Sequence, residues 1–189
     1  MRGAGSPVQC DEESALLERV LEYDQSAIAA IYDRYATRIY GYLYHRVGNA
    51  YLAEDLTATV FVRMLEAIRS SKAWRTSFSG WLYRIAHNLV VDHFRSGAQD
   101  KQVPLDDWSP SDEEPPADAA EHSLLGEHLR GAIGRLTEEQ GTVISLKFLE
   151  GMSNAEVAGV IGKSEGAVKS LQFRGLAALR QLMDAEGYE

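Results

Sequence analysis

The chain is poor in cysteine, histidine, proline and positive charge, and each scarcity removes a class of function. A single cysteine, Cys10, excludes an intramolecular disulfide and any zinc site built on paired thiolates. Cys10 also falls in a tail that reads as disordered, so a catalytic thiol is not expected. Of the five histidines, His87 and His93 are six apart, whereas a shared helix face for a metal needs a spacing of four. His122 and His128 have no acidic or thiolate cluster of ligand spacing beside them. Glu54 and Asp55 are adjacent, so on a helix they diverge and cannot converge as an acid/base pair. No P-loop or dinucleotide-binding glycine pattern is present. No apolar run approaches the ~18 residues of a membrane span. The longest candidates are interrupted by charges such as Arg63 and Glu66. The opening MRGAGSPVQC lacks the apolar centre of a signal peptide. The expectation is a cytoplasmic protein that is not an enzyme, takes no cofactor or metal and does not insert into a membrane.

Positive charge is scarce only in the total. Lys plus Arg number 19 against 28 Asp plus Glu, and the net of -9 argues at face value against nucleic acid. The distribution says otherwise. Residues 1–25 carry 2 positive and 6 negative charges, and residues 97–122 carry 1 and 8. Residues 26–96, in contrast, carry 9 positive and 5 negative, and residues 123–189 carry 7 and 9. The stretch 97–122 also holds four of the five prolines, which block helix interiors while the like charges repel. It reads as an acidic, flexible linker. The 189 residues are therefore expected to form two small domains, 26–96 and 123–189, behind a tail and short helix at 1–25.

What is abundant is helical periodicity. Ile28, Ile31, Tyr32, Tyr35, Ile39 and Leu43 recur at three- and four-residue spacing over 26–47. Asp24 or Ser26 is placed to cap that helix, and Gly48 with Asn49 to stop it. Leu52, Leu56, Val60, Phe61, Met64, Leu65 and Ile68 form a second stripe over 51–70. After a loop at 72–77, Trp81, Leu82, Ile85 and Leu89 form a third over 78–95. Leu16, Leu17, Val20 and Leu21 suggest a short amphipathic helix over 12–23. No strand-like alternation and no solenoid repeat appears. The expected fold class is all-α: a three- to four-helix bundle, the linker, and a four-helix domain.

The second domain contains a pattern with a mechanism. A helix is expected up to Leu136, then a capping box over Thr137 to Gln140 starts a helix that stops near Gly151. A second box, Ser153 with Glu156, opens a short helix over 154–161. Gly162 is placed to end it in a left-handed conformation that glycine adopts cheaply. Ser164 then caps a further helix held inward by Val168 and Leu171. These offsets are those of a helix-turn-helix. Its outward face offers Glu165, Lys169, Ser170, Gln172 and Arg174, groups suited to phosphate, guanine and adenine. Residues 163–180 hold 4 positive charges and 1 negative.

Three blocks extend this into a family resemblance: AEDLTATVFVRMLEAI at 53–68, FSGWLYRIAHNLVVDHFR at 78–95, and LTEEQGTVISLKFLEGMSNAEVAGVIGKSEGAVKSLQFRGLAALRQL at 136–182. In order and content they resemble the extracytoplasmic-function (ECF) sigma factors of the sigma-70 family, over roughly 26–96 and 123–183. The resemblance implies that the first domain (region 2) binds core RNA polymerase and the promoter's -10 element. Asp55, Leu56, Met64 and Leu65 would face polymerase. Lys72, Trp74, Arg75, Ser77 and Phe78, with Arg84, Asn88 and Arg95 on the next helix, would capture unstacked bases and phosphates of the -10 strand. The second domain (region 4) would read the -35 element through Ser164, Glu165, Lys169, Ser170, Gln172 and Arg174. The resemblance also implies an anti-sigma partner. The chain departs from the family's usual pattern at Ala58-Thr59, where many members carry Gln-Glu, at Gln140, and over Leu171 to Leu176, where basic content is lower. Its -35 affinity should therefore lean more on polymerase. The acidity of the linker could imitate nucleic acid along basic channels of polymerase. The competing reading is a stand-alone helix-turn-helix regulator with a helical effector domain. That reading uses the same C-terminal module but leaves the aromatic and basic loop 72–78 without a role.

Overall fold

The computed structural model describes residues 7–70, 74, 77–97, 126, 128, 129 and 131–185, the side chains of residues 7–11 excepted. Lys72, Arg75 and nearly all of the acidic stretch 97–122 lie outside the described residues. Seven helices follow one another among them. They are α1 (Pro7–Leu21), α2 (Gln25–Val47), α3 (Ala50–Arg69), α4 (Phe78–Gly97), α5 (Glu138–Ile144), α6 (Asn154–Ile161) and α7 (Glu165–Ala185). A helical turn at 131–134 precedes α5. α1 starts earlier than its apolar pattern suggests, so Cys10 lies on a helix and not in a disordered tail.

Local chemistry sets the helix ends. Asp24 opens α2 by accepting the N–H groups of Ser26 at 2.9 Å and Ala27 at 3.3 Å. Its carboxylate is held there by Arg19 at 2.6 Å, across a turn in which Tyr23 takes φ 62°. Gly48 ends α2 at φ 66°, its N–H donating to the Tyr44 carbonyl at 2.9 Å. Asn49 then accepts the Leu52 N–H at 2.9 Å to open α3. Both capping boxes form, Thr137 with Gln140 and Ser153 with Glu156. Gly162 takes φ 67° in the turn of the helix-turn-helix.

One feature escaped the periodicity. Ser145–Leu149 continues α5 as a π-turn, closed by the Glu150 N–H donating to the Ser145 carbonyl at 3.1 Å. A π-turn widens the helix by one residue and redirects whatever follows. Here Glu150 follows, and it turns toward the N-terminal bundle.

α1 to α4 form that bundle, with α3 packed on α2 and α4 against both. Tyr42 and Tyr83 meet edge to face in its centre, ring centroids 5.6 Å apart. Ile31, Ile39, Leu43, Met64, Leu82 and Val90 close around them. α5 and α6 pack on α7 to form the second bundle. The bundles are not held apart. α4 packs directly on α6, and one apolar core runs from Leu82 and Val90 into Val143, Leu146, Val157 and Val168. Such contiguous burial is the main attraction between them.

Candidate nucleic-acid interface

α4 presents one coherent polar face. Arg84, Asn88, Val91 and Arg95 follow at intervals of four, three and four, so they share a stripe along the helix. Arg84, Asn88 and Arg95 are exposed, and Leu82, Tyr83, Ala86, Leu89 and Val90 are turned inward. The stripe offers cations for phosphates and an amide for a base edge. At the start of α4, Ser77 acts as a cap: its hydroxyl accepts the Gly80 N–H at 3.1 Å.

The aromatic group beside it is arranged differently from the sequence expectation. Phe78 is only 3% exposed and meets Tyr35 edge-on at 5.4 Å. Trp74 leans on Phe78 at 4.8 Å and on Trp81 at 5.6 Å. Phe78 is therefore a base for Trp74 rather than a platform for DNA, and Trp74 is the half-buried ring at the edge of the cluster. Tyr35 anchors it from below, its hydroxyl donating to Glu13 of α1 at 2.5 Å. Burial, and then that hydrogen bond, push the Tyr35 phenol well above its ordinary range.

The residues expected to face polymerase divide in the same way. Asp55 is exposed, whereas Leu56 at 8% and Met64 at 1% exposure are enclosed in the bundle. Leu65 is half-buried, and its carbonyl accepts the Tyr23 hydroxyl at 3.1 Å. The exposed hydrophobic groups on the Asp55 face are instead Tyr51, one turn earlier and 80% exposed, and Val62, two turns further along and 53% exposed. Periodicity identifies the helix but not Val62, which follows the buried Phe61 directly and precedes the buried Met64 by two residues.

In the second bundle α7 stands as the outer helix of the helix-turn-helix. Val168, Leu171 and Gly175 are its inward side. Gly175 is there for space: a Cβ would lie 3.0 Å from Cγ1 of Ile144. Ser164 spends its hydroxyl as a cap, accepting the Ala167 N–H at 3.2 Å. Glu165, Lys169, Ser170 and Arg174 are exposed. Arg174 donates from Nε to the Ser170 carbonyl at 3.4 Å, which lays its guanidinium along the helix. Gln172, expected to read a base, is half-buried on the flank. The centre of the outward face is Phe173, four residues after Lys169 and three after Ser170, and 77% exposed. A large ring held in water with no packing role is a signal that apolar periodicity passes over.

Between α4 and the first helix of the helix-turn-helix lies a cleft of about 550 Å³, walled by Arg84, His87 and Asn88 on one side and by Gly159, Gly162 and Lys163 on the other. Lys163 is paired across the rim with Glu139 at 2.8 Å. Burial lowers the His87 pKa to about 4, with the charge of Arg46 adding to it, so the ring is neutral at pH 7. Among the described residues no group of three His, Cys, Asp or Glu side chains is placed to hold a metal ion. None of the described helices is long and apolar enough to cross a membrane.

An all-helical chain with a helix-turn-helix at one end and an aromatic and basic helix at the other is a transcription protein in its architecture. Comparison with known proteins specifies it. The Sigma-70 region 2 profile matches residues 31–99, and that of Sigma-70, region 4 matches residues 127–179. The chain is 38% identical over 179 residues to the ECF RNA polymerase sigma factor BldN of Streptomyces coelicolor, spanning 92% of this chain and 68% of BldN. It is 33% identical over 179 residues to the ECF RNA polymerase sigma factor SigW of Bacillus subtilis, spanning 89% of this chain and 95% of SigW. The structure of CnrH in complex with the cytosolic domain of CnrY superposes with a TM-score of 0.70 at 23% identity, over 92% of this chain and 97% of the matched one, a likeness of fold. The chain belongs to the sigma-70 family of RNA polymerase sigma factors, in its ECF branch.

Proposed function

We propose that this protein binds core RNA polymerase through the α3 face around Asp55 and Val62 and directs it to promoters. Region 4 lays α7 in the major groove of the -35 element, where Lys169, Ser170 and Arg174 address phosphates and base edges. Region 2 applies the Arg84, Asn88 and Arg95 stripe to the -10 strand, with Trp74 as a stacking platform for an unstacked base. Lys72 and Arg75 flank Trp74 in sequence and add charge for the same strand. The observation that carries this reading is the pairing, in one chain, of an exposed α4 stripe in region 2 with an outward α7 face in region 4. The protein contributes binding and strand capture and no covalent chemistry. It works in the cytoplasm, where polymerase is, and an anti-sigma protein is its expected restraint.

Run-off transcription with purified core polymerase tests this. Promoter-specific initiation that depends on the protein is the expected result. A protein that shifts promoter DNA by itself and enables no initiation by core enzyme is a stand-alone regulator, and the proposal falls.

A further inference from the structure

α1 ends in a turn where glycine is the usual residue and this chain has tyrosine. The Tyr23 N–H donates to the Val20 carbonyl and the Asp24 N–H to the Arg19 carbonyl, each at 3.1 Å, the two bonds of a Schellman cap. That cap sets Tyr23 at φ 62°, and among the described residues no other except glycine has a positive φ. The left-handed conformation crowds a β-carbon, so tyrosine strains the turn where glycine would not. What the side chain gives back to the fold is small. Its hydroxyl donates to the Leu65 carbonyl of α3 at 3.1 Å, an exposed bond between groups that water satisfies nearly as well. The residue is still 43% exposed. Stability of the isolated fold does not account for a tyrosine at this position.

A second tyrosine stands on the same stretch of α3. Tyr32 of α2 leans on Phe61, ring centroids 4.8 Å apart, and is 49% exposed. Phe61 and Leu65 are one helical turn apart, and Val62 lies between them. Tyr23, Tyr32 and Val62 thus leave apolar surface in water around a single turn of α3. One such residue alone is ordinary on a protein surface, whereas several together mark an interaction site.

We propose that Tyr23 and Tyr32 extend the polymerase-binding face of α3 onto the corner between α1 and α2, with Tyr23 as an anchor of that face. The choice of occupant rests on the reading of α3 as the helix that binds core polymerase. Continuity supports it. Val62 and Leu65 are three apart, so a surface laid over Asp55 and Val62 runs on to the ring of Tyr23 without a change of direction. The chemistry of the face agrees. Ala58 has no polar side-chain group, and the Thr59 hydroxyl is turned back to donate to the Asp55 carbonyl at 2.9 Å. With few hydrogen bonds on offer there, the hold on a partner must come from apolar burial, for which an aromatic ring is well suited. The turn also fixes the ring in advance. The Schellman bonds hold the backbone before Asp24, and the Asp24 carboxylate, bound to Arg19 and to the Ser26 N–H, holds it after. An anchor already ordered in the free protein loses little freedom on binding.

The test is displacement of dye-labelled parent protein from core polymerase by unlabelled full-length variants, each confirmed as folded by circular dichroism at the assay temperature. Tyr23→Gly removes the ring and relieves the backbone, and it should compete about tenfold less well than the parent. Tyr23→Phe loses only the bond to Leu65 and should compete like the parent. Tyr32→Ala, on another helix and away from the cap, should also compete less well. Between ~0.1 and ~0.5 M salt the Tyr23→Gly deficit should persist, because burial of an uncharged ring is not screened. Parent-like competition by Tyr23→Gly overturns the anchor. So does a deficit in Tyr23→Phe as large as in Tyr23→Gly, since the bond to Leu65 and not the ring would then matter, and so does a deficit that vanishes with salt. Parent-like competition by Tyr32→Ala overturns the extension onto the corner. Self-association of the parent that Tyr23→Gly abolishes, with competition unchanged, would assign the patch to a second copy of the chain instead. A labelled parent that does not bind core polymerase at all sinks the sigma-factor reading, and this extension of it falls as well.

Discussion

Phe173 provides a way to test a single contact on α7 by removing one methyl group from the DNA. The ring is 77% exposed, so Phe173→Ala should leave stability within about 0.5 kcal/mol. In a major groove, an apolar ring beside Lys169 and Ser170 finds its best partner in the C5 methyl of thymine. Burying one such methyl is worth about 0.8 kcal/mol, roughly fourfold in affinity. Deoxyuridine lacks that methyl and is otherwise the same base. The expected result comes from retention of promoter DNA by the reconstituted holoenzyme, with each thymine of the -35 element replaced in turn. The parent protein should lose about fourfold at one thymine. Phe173→Ala should bind more weakly throughout and lose nothing further at that position. Lys169→Ala should act differently, weakening all sequences alike and reducing the salt slope by about one. An equal deoxyuridine penalty in the parent and in Phe173→Ala at every thymine would refute base reading by this ring.

Other consequences are more local. Gly175→Ala adds about 1 kcal/mol of helix propensity but forces a Cβ to 3.0 Å from Ile144 Cγ1, an overpacking that costs about 1–3 kcal/mol. Urea unfolding should show a net loss, smaller than additive when combined with Ile144→Ala, which removes the Cγ1 that the new Cβ meets. Gly141→Ala would drive a Cβ into Nη1 of Arg46, so it should lower the melting temperature in the parent and do so far less in an Arg46→Ala background. His87 has a folded pKa of about 4, below the unfolded value, so the unfolded chain binds the extra proton between about 4 and 6.5. Stability should therefore be complete above that window and fall as the pH drops through it. His87 sits 3.4 Å from the Tyr42 hydroxyl, with Arg46 and Glu139 as the charges acting on it. His87→Gln should flatten the slope in thermal melts over about pH 4.5–7.5, and an unchanged slope would rule out His87 as its source.

Features governed by near neighbours are legible in the amino-acid sequence. Asp24, Gly48, the two capping boxes and Gly162 all act within one helical turn, so their roles follow from spacing alone. The same holds for the inward side of α7, where Val168 and Leu171 lie three apart. Assignment to polymerase, DNA or core is less legible. Leu56, Met64 and Phe78 carry the chemistry of contact residues, yet each is enclosed because another helix packs over it. Phe173 and Gln172 are adjacent and differ by about 100° around the helix, and only the position of Ile144 beneath Gly175 decides which of them faces outward.

The helices, their ends, the helix-turn-helix, and the concentration of acidic charge in residues 1–25 and 97–122 can be read from the order of the amino acids. Those depend on periodicity and on groups a few residues apart, so the chain carries them locally. That the two halves meet, that Glu150 and Arg38 pair across 112 residues, and that the α4 stripe faces region 4 across a shared cleft emerges in three dimensions alone. No local pattern encodes such contacts, because burial is a property of two surfaces together and neither surface records its partner in its own spacing.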